Sequence, residues 1–526
     1  MTKKIIELTG NIDYPYTCAI VNNQRMGFLD EVEEPKTIEF LSVEKGEGRR
    51  TYERTLTFLV AIAVKKINQN LKINIKHSLG DTLYGEIIGS YDKEVLNKIK
   101  ENILNLIKEN KEISKIELTK ETAMQRLERE SRIDDIDVLK YLSKDTITLY
   151  HLDNSFVYFA GPLLPKTGMV KVFDILPYSK GFLIVLPKKE NVYELSEIPK
   201  IGRLFEAIDE SESWLKKLEI RNVGEINKSI INGKISNIIK IQEALHEKKI
   251  SDIADTISKR NTKIILIAGP SSSGKTTFAK KLEIQLRVNG LKPFIISTDN
   301  YFVDRDKTPK LEDGTLDYDC FSAINHALLK SHLEKLLKGE EIELPKYNFI
   351  TGKGERWRHL KLDSNGILIV EGIHSLNPAL TDNISKEKKF EIYVSALTQI
   401  NIDNINRIPT RDTRLIRRIV RDNHFRGITA SDTIKIWPTV IKAEEEYIFP
   451  YQENANVMFN STLVYELSVL RNYAEVPLRA IDYKDKEYGE ALRLLNFLSH
   501  ILPLMTEEVP PTSILREFIG KSAFKY

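Results

Sequence analysis

Lys263-Ile-Ile-Leu-Ile-Ala268 runs straight into Gly269-Pro270-Ser271-Ser272-Ser273-Gly274-Lys275-Thr276. An uninterrupted apolar run ended by glycine predicts a strand buried on both faces. The spacing beyond it predicts a helix from Lys275 to about Val288 and a second apolar strand at 293–297. Strand, helix, strand in that order implies a parallel sheet. The residues between satisfy G-x-x-x-x-G-K-[ST] after a strand and before a helix, the context that separates a phosphate-binding loop from a chance match. Glycines let the backbone wrap closely, so that successive N–H groups face phosphate oxygens, and the helix N-terminus adds partial positive charge. Lys275 is placed to neutralise the β and γ phosphates, and the Thr276 hydroxyl to ligate Mg²⁺. A nucleoside triphosphate site is expected here.

Outward from that loop, acids stand at the carboxyl ends of two strands, where open α/β sheets bind ligands. Asp299 follows the strand at 293–297 and would take a proton from an acceptor hydroxyl or hold a metal-bound water. Glu371 ends the apolar run 367–370, the place of the second Mg²⁺ contact in phosphate-loop proteins. Further on, six arginines fall within residues 411–426. Arg414, Arg417, Arg418 and Arg421 follow i, i+3, i+4, i+7 spacing, so one helical face carries four guanidinium groups that cannot all be satisfied there. Such a stripe suits a lid that clamps a transferring phosphoryl group.

The whole chain has 526 residues, 41% hydrophobic and 29% charged, which fits several globular units and excludes a disordered or membrane-embedded chain. With 78 Lys plus Arg against 75 Asp plus Glu, the net charge of +3 provides no overall basic field for nucleic acid. Cys18 and Cys320 have neither metal-ligand nor redox spacing. No signal peptide or span-length apolar run is evident, so a soluble cytoplasmic protein is expected. Periodicity divides the chain into a small β-rich unit at 1–45, an α+β unit at 46–195 and a helical connector at 196–259. A doubly wound α/β unit follows at 260–480, then a C-terminal helix and an apolar tail at 481–526 suspected of docking elsewhere. Strand-like runs in the α+β unit are read at 146–150, 169–176 and 182–186. The fold class is multidomain α/β.

Residues 264–473 resemble the uridine kinase and phosphoribulokinase family, through G-P-S-S-S-G-K-T-T ending at Thr277, S-x-D-x-[FY]-[FY], V-E-G-I-H and D-T-R-L-x-R-R-x-x-R-D. The resemblance implies a kinase using ATP and Mg²⁺. It makes Asp299 the base for a nucleoside 5′-hydroxyl and Glu371 a contributor to Mg²⁺ binding. Arg414, Arg418 and Arg426 match the lid arginines that meet phosphates, and Asp317 the acid that holds ribose hydroxyls. Tyr347 and Phe349 match aromatics that wall the base pocket, and Tyr301 lies in the motif of the acceptor base. Where pyrimidine-specific members place a histidine after the aromatic pair, this chain runs Ile350-Thr351-Gly352-Lys353, so a purine nucleoside or a non-nucleoside alcohol stays open as acceptor.

The N-terminal half resembles the front of a bacterial threonyl-tRNA synthetase, a TGS-like sheet followed by the editing domain. The landmark is Gly161-Pro-Leu-Leu-Pro-Lys-Thr167-Gly168-Met-Val-Lys-Val-Phe173. Where that domain carries its histidines and cysteine, this chain has Arg54, Phe58, Phe159 and Leu163, none able to deprotonate water or hold a metal as imidazole and thiolate would. His77 stands alone and reads as structural. A hydrolytically inert domain that keeps a groove for RNA or a small ligand is expected. The leading reading is transfer of the γ-phosphoryl group to a nucleoside-like hydroxyl. The alternative is an RNA- or ribosome-associated regulator with the phosphate loop as an ATP switch. Oligomeric state stays open.

Overall fold

Alternating residues of one strand divide the core of the C-terminal half. Ile264–Ala268 is buried throughout, with Ile265 and Ile267 in one apolar cluster and Ile264, Leu266 and Ala268 in another. Both faces of the sheet are therefore covered, which is why its strands are continuous apolar runs rather than alternating ones. Each such side chain contributes roughly 1.5–3 kcal/mol by leaving water. The parallel sheet has five strands in the order Lys292–Ser297, Gly366–Glu371, Ile264–Ala268, Lys389–Ser395, Val457–Asn460. The expected helix is Lys275–Val288, and two more run over Thr410–Arg421 and Ala430–Tyr447. The computed structural model describes residues 2–10, 12–92, 94–198, 202–312 and 314–525.

The segment 196–259 is expected as a connector, but its helices are built into this layer. Helix Ile235–Ser258 packs on Lys275–Val288 and sends Ile250, Ile253 and Ile257 into the core of the sheet. Its polar look comes from buried groups such as Glu243, which accepts the Tyr465 hydroxyl at 2.5 Å.

The N-terminal half is antiparallel. A three-stranded sheet of Tyr16–Val21, Gln24–Gly27 and Ile38–Ser42 precedes the long helix Gly46–Ile67. A four-stranded sheet orders Asp174–Tyr178, Gly181–Val185, Thr82–Ile88, Lys72–Leu79, and a third pairs Ser114–Thr119, Thr146–Leu152 and Ser155–Tyr158. The strand expected at 169–176 begins only at Asp174. Ahead of it, Thr167 donates its hydroxyl to the Leu106 carbonyl at 2.6 Å and its N–H to Lys111 at 2.9 Å, which holds the chain away from the sheet in a short 3₁₀ turn.

The C-terminal tail docks on the parallel-sheet unit, with Ile514, Leu515 and Phe518 fully buried in its core. Helix Tyr488–Ser499 ties the two halves together through an Arg25–Glu490 ion pair. Among the described residues no helix is long and apolar enough to cross a membrane.

Candidate active site

The loop after Ile264–Ala268 passes so close to Lys389–Ser395 that a Cβ on Gly269 would lie 1.9 Å from the Val394 carbonyl oxygen. Only glycine fits. At its far end Gly274 has φ +83°, a left-handed conformation that glycine adopts without strain. Between them, the carbonyls of the loop are held from one side. The Arg414 Nε donates to Ser271 O at 3.0 Å, Arg417 Nη1 to Ser272 O at 3.2 Å, and Ser461 Oγ to Ser273 O at 2.5 Å. Among the described residues the N–H groups of Gly274, Lys275 and Thr276 have no protein acceptor, and the buried hydroxyls of Ser272 and Ser273 have no partner. Backbone donors left open at a helix N-terminus, beside Lys275, fit a polyphosphate.

The arginine helix departs from expectation. Arg414 and Arg417 are 1% and 0% exposed and form buried ion pairs with Glu444 and Glu466. They are props beneath the loop, so Arg414 does not face the cleft as a phosphate clamp. A guanidinium at this depth needs a carboxylate, and each finds one on another element. Glu444 also accepts the Ser271 N–H at 2.9 Å. With Leu415, Ile416, Ile419 and Val420 buried as well, Thr410–Arg421 is a core helix rather than a lid. The arginines turned toward the cleft are Arg418, which donates to the Ser271 hydroxyl at 2.9 Å, together with Arg421 and Arg426, whose charges reach Asp299. All three contact Asp422, at 3.2, 2.9 and 3.4 Å. Arg421, a member of the stripe, is not among the arginines that the family resemblance singles out, yet it stands with Arg426 toward Asp299.

Lys275, Asp299 and Glu371 converge at the carboxyl edge of the sheet. Burial lowers the Lys275 ammonium, against the opposing pull of Glu371, Asp299 and Glu517. Asp299 is open to water yet crowded by protein on its other sides; that desolvation raises its carboxyl, with Lys275, Arg426 and Arg421 pulling the other way. Burial and then the Asp299 charge push Glu371 up to about 7. The oxygens of Thr276, Asp299 and Glu371 are hard donors of the kind Mg²⁺ takes, and the side chain of Thr276 is not fully buried.

On the acceptor side the expected residues separate. Tyr301 is 2% exposed and turned into the core, its hydroxyl 3.0 Å from His332 Nδ1, because Thr298 and Tyr301 stand three apart on the inner face of a 3₁₀ turn. Phe302 takes its place in a cluster with Tyr318, Tyr347 and Phe349, at ring-centroid distances of 5.6, 5.5 and 5.9 Å. Tyr347 is buried and Phe349 exposed. Asp317 accepts the N–H groups of Asp319 and Cys320 at 3.0 and 3.1 Å with one oxygen, which shapes its loop and leaves the other oxygen outside these bonds.

In the N-terminal half Phe58, Phe159 and Leu163 share one apolar cluster, with Arg54 beside Pro162. Arg54 donates to Pro162 O at 3.0 Å and pairs with Glu47, Phe58 stands edge-on to Phe159 at 6.1 Å, and Leu163 is fully buried. His77 is half-buried against Tyr84, and burial pushes its imidazole down to about 3, so it is neutral.

Comparison with known proteins agrees with the cleft. The Phosphoribulokinase / Uridine kinase family profile matches residues 264–468. A uridine kinase of Mycoplasma genitalium is 30% identical over 196 residues, 37% of this chain and 83% of that protein. A uridine kinase of Ureaplasma parvum is 28% identical over 207 residues, 38% of this chain and 88% of its own length. A threonine–tRNA ligase of Clostridium tetani is 26% identical over 204 residues, 38% of this chain but 31% of the ligase. With a phosphate loop, two strand-end acids and cleft-facing arginines on one sheet edge, the chain belongs to the phosphoribulokinase / uridine kinase family.

Proposed function

We propose that the protein transfers the γ-phosphoryl group of ATP to a hydroxyl of a nucleoside-like acceptor. The observation that carries this reading is the meeting of Asp299, Lys275 and Glu371 beside the open N–H groups of the phosphate loop, with Arg421 and Arg426 across from them. Lys275 and the N–H groups would bind the β and γ phosphates, and Arg418, Arg421 and Arg426 would offset charge developing on the transferred group. Asp299, its carboxyl raised by the protein crowding it, would accept the proton of the attacking hydroxyl; a stronger base at the point of attack raises the rate. Thr276 and Glu371 would hold Mg²⁺, which when bound neutralises the β and γ oxygens. The ring cluster of Phe302, Tyr347 and Phe349 would stack on a planar base, and Asp317 would accept from a ribose hydroxyl.

Residues 46–195 we read as a synthetase-like unit without hydrolytic groups, supported by the threonine–tRNA ligase relative and by the apolar cluster of Phe58, Phe159 and Leu163, with Arg54 beside Pro162. The decisive experiment incubates the full chain with γ-labelled ATP, Mg²⁺ and a panel of nucleosides, ribose derivatives and other alcohols. Label in a nucleoside monophosphate supports the reading; label only in a non-nucleoside alcohol changes the acceptor class, and none in any alcohol removes the proposal.

A further inference from the structure

The C-terminal tail does more than fill the core. Residues 512–520 run along the first turns of helix Lys275–Val288 toward the turn that carries Arg426. The Thr512 carbonyl accepts from Lys281 Nζ at 3.0 Å. Ile514 crowds the phosphate loop, since a Cβ on Gly274 would lie 2.6 Å from its Cγ2. Phe518 is fully buried with its ring 5.0 Å from the Arg417 guanidinium, and Gly520 abuts Phe425. Among these anchors Glu517 alone presents a carboxylate to the loop: its Oε2 accepts the Thr277 N–H at 3.2 Å and the Thr277 hydroxyl at 2.6 Å.

Those two donors belong to the phosphate nest. Backbone N–H groups at the end of this loop cradle the α and β phosphates, and a carboxylate is the protein group closest to a phosphate oxygen pair in charge and acceptor geometry. The contact is not ordinary helix capping, which uses the residue just before the helix; here that residue is Gly274, and Glu517 arrives from 240 residues away. Its charge also acts on Lys275 and Glu371, so it lies within the field of the reacting groups.

We propose that Glu517 is a built-in competitor for the α-phosphate of the nucleotide, holding Thr277 until the nucleotide displaces it. The proposal rests on the reading of the cleft as an ATP site. Ile514, Leu515 and Phe518 are fully buried, whereas the Glu517 side chain is partly exposed, so release needs rotation of one side chain and not departure of the tail. Nucleotide affinity is then reduced by the fraction of molecules in which Thr277 is held.

The test is calorimetric titration of the full chain with ADP in the absence of Mg²⁺, comparing wild type, Glu517→Gln, Glu517→Ala, and each of these combined with Thr277→Val. Glu508→Gln, an exposed tail acid, is the control. We expect about three- to tenfold tighter ADP binding in both Glu517 variants, no change in the control, and a smaller gain in the Thr277→Val background, where only the N–H contact remains. Equal or weaker binding by the Glu517 variants overturns the proposal while leaving the ATP site standing. A gain of undiminished size without the Thr277 hydroxyl overturns the assigned contact, and failure of every variant to bind ADP removes the kinase reading and the competitor together.

Discussion

Two arginine clusters in this molecule have opposite outcomes. In a groove between the two halves, Arg25, Arg50 and Arg54 meet Glu47, while Arg25, Arg50 and Arg493 also meet Glu490, and Arg493 reaches Asp412 at 2.7 Å. Every charge there has a protein partner. Around the phosphate loop, Arg414 and Arg417 are likewise consumed by Glu444 and Glu466, but Arg418, Arg421 and Arg426 share the buried carboxylate Asp422, Arg418 is drawn also by Asp319, and the charges of Arg421 and Arg426 reach Asp299. The groove is held together by completed pairs. The cleft is left electrostatically incomplete, as a site for a polyanion would be.

The largest expected effect lies on the incomplete side. Asp299→Asn should lower phosphoryl transfer by roughly 10²–10⁴-fold while ATP affinity stays within about twofold, as read by label transfer and equilibrium binding. Unchanged turnover would remove Asp299 from the chemistry. The two classes of arginine sharpen the contrast. Arg417→Ala leaves Glu466 buried and unpaired and should cost about 3–5 kcal/mol in denaturant unfolding. Arg421→Ala should leave the fold intact and cut turnover by about 10²-fold or more. Equal stability losses in the two variants would erase the distinction between prop and clamp.

On the completed side, burial pushes Glu47 up, but Arg54, Arg50, Arg493 and Arg25 outweigh it and hold the carboxyl down at about 2, from 4.5. A depressed carboxylate stabilises the fold above its unfolded value, and that stability is lost as pH falls from about 4.5 through 2. Glu47→Gln should therefore destabilise by on the order of 3 kcal/mol at neutral pH, with the difference shrinking toward pH 2. A pH-independent difference would contradict the pairing. The smallest effect concerns nucleic acid: with its arginines already paired, the groove should retain tRNA only weakly, with a log–log salt slope shallower than about −3 in filter binding.

Much of the sheet and its loop was legible because the information is local. Strand, glycine turn, lysine and helix follow one another within residues 263–288, and Asp299 and Glu371 each sit one step past an apolar run. The arginine stripe was legible as a stripe but not as to its partners. Glu444 lies 30 residues from Arg414 and Glu466 lies 49 from Arg417, and i, i+3, i+4, i+7 spacing reads alike for a solvated face and for a buried one. Tyr301 and Phe302 were exchanged for a similar reason: which of two adjacent aromatics enters the cleft depends on a half-turn of backbone after the strand. Helix Ile235–Ser258 looked like a connector because Gln242, Glu243 and His246 are buried polar groups, a feature that composition assigns to the surface.

The most direct measurement is a ³¹P NMR time course of the full chain with Mg²⁺, ATP and the nucleoside panel. The account predicts a new phosphomonoester resonance that grows one-for-one with ADP and disappears in Asp299→Asn. ADP accompanied only by inorganic phosphate, or no turnover with any acceptor, would contradict transfer to a hydroxyl held at Asp299.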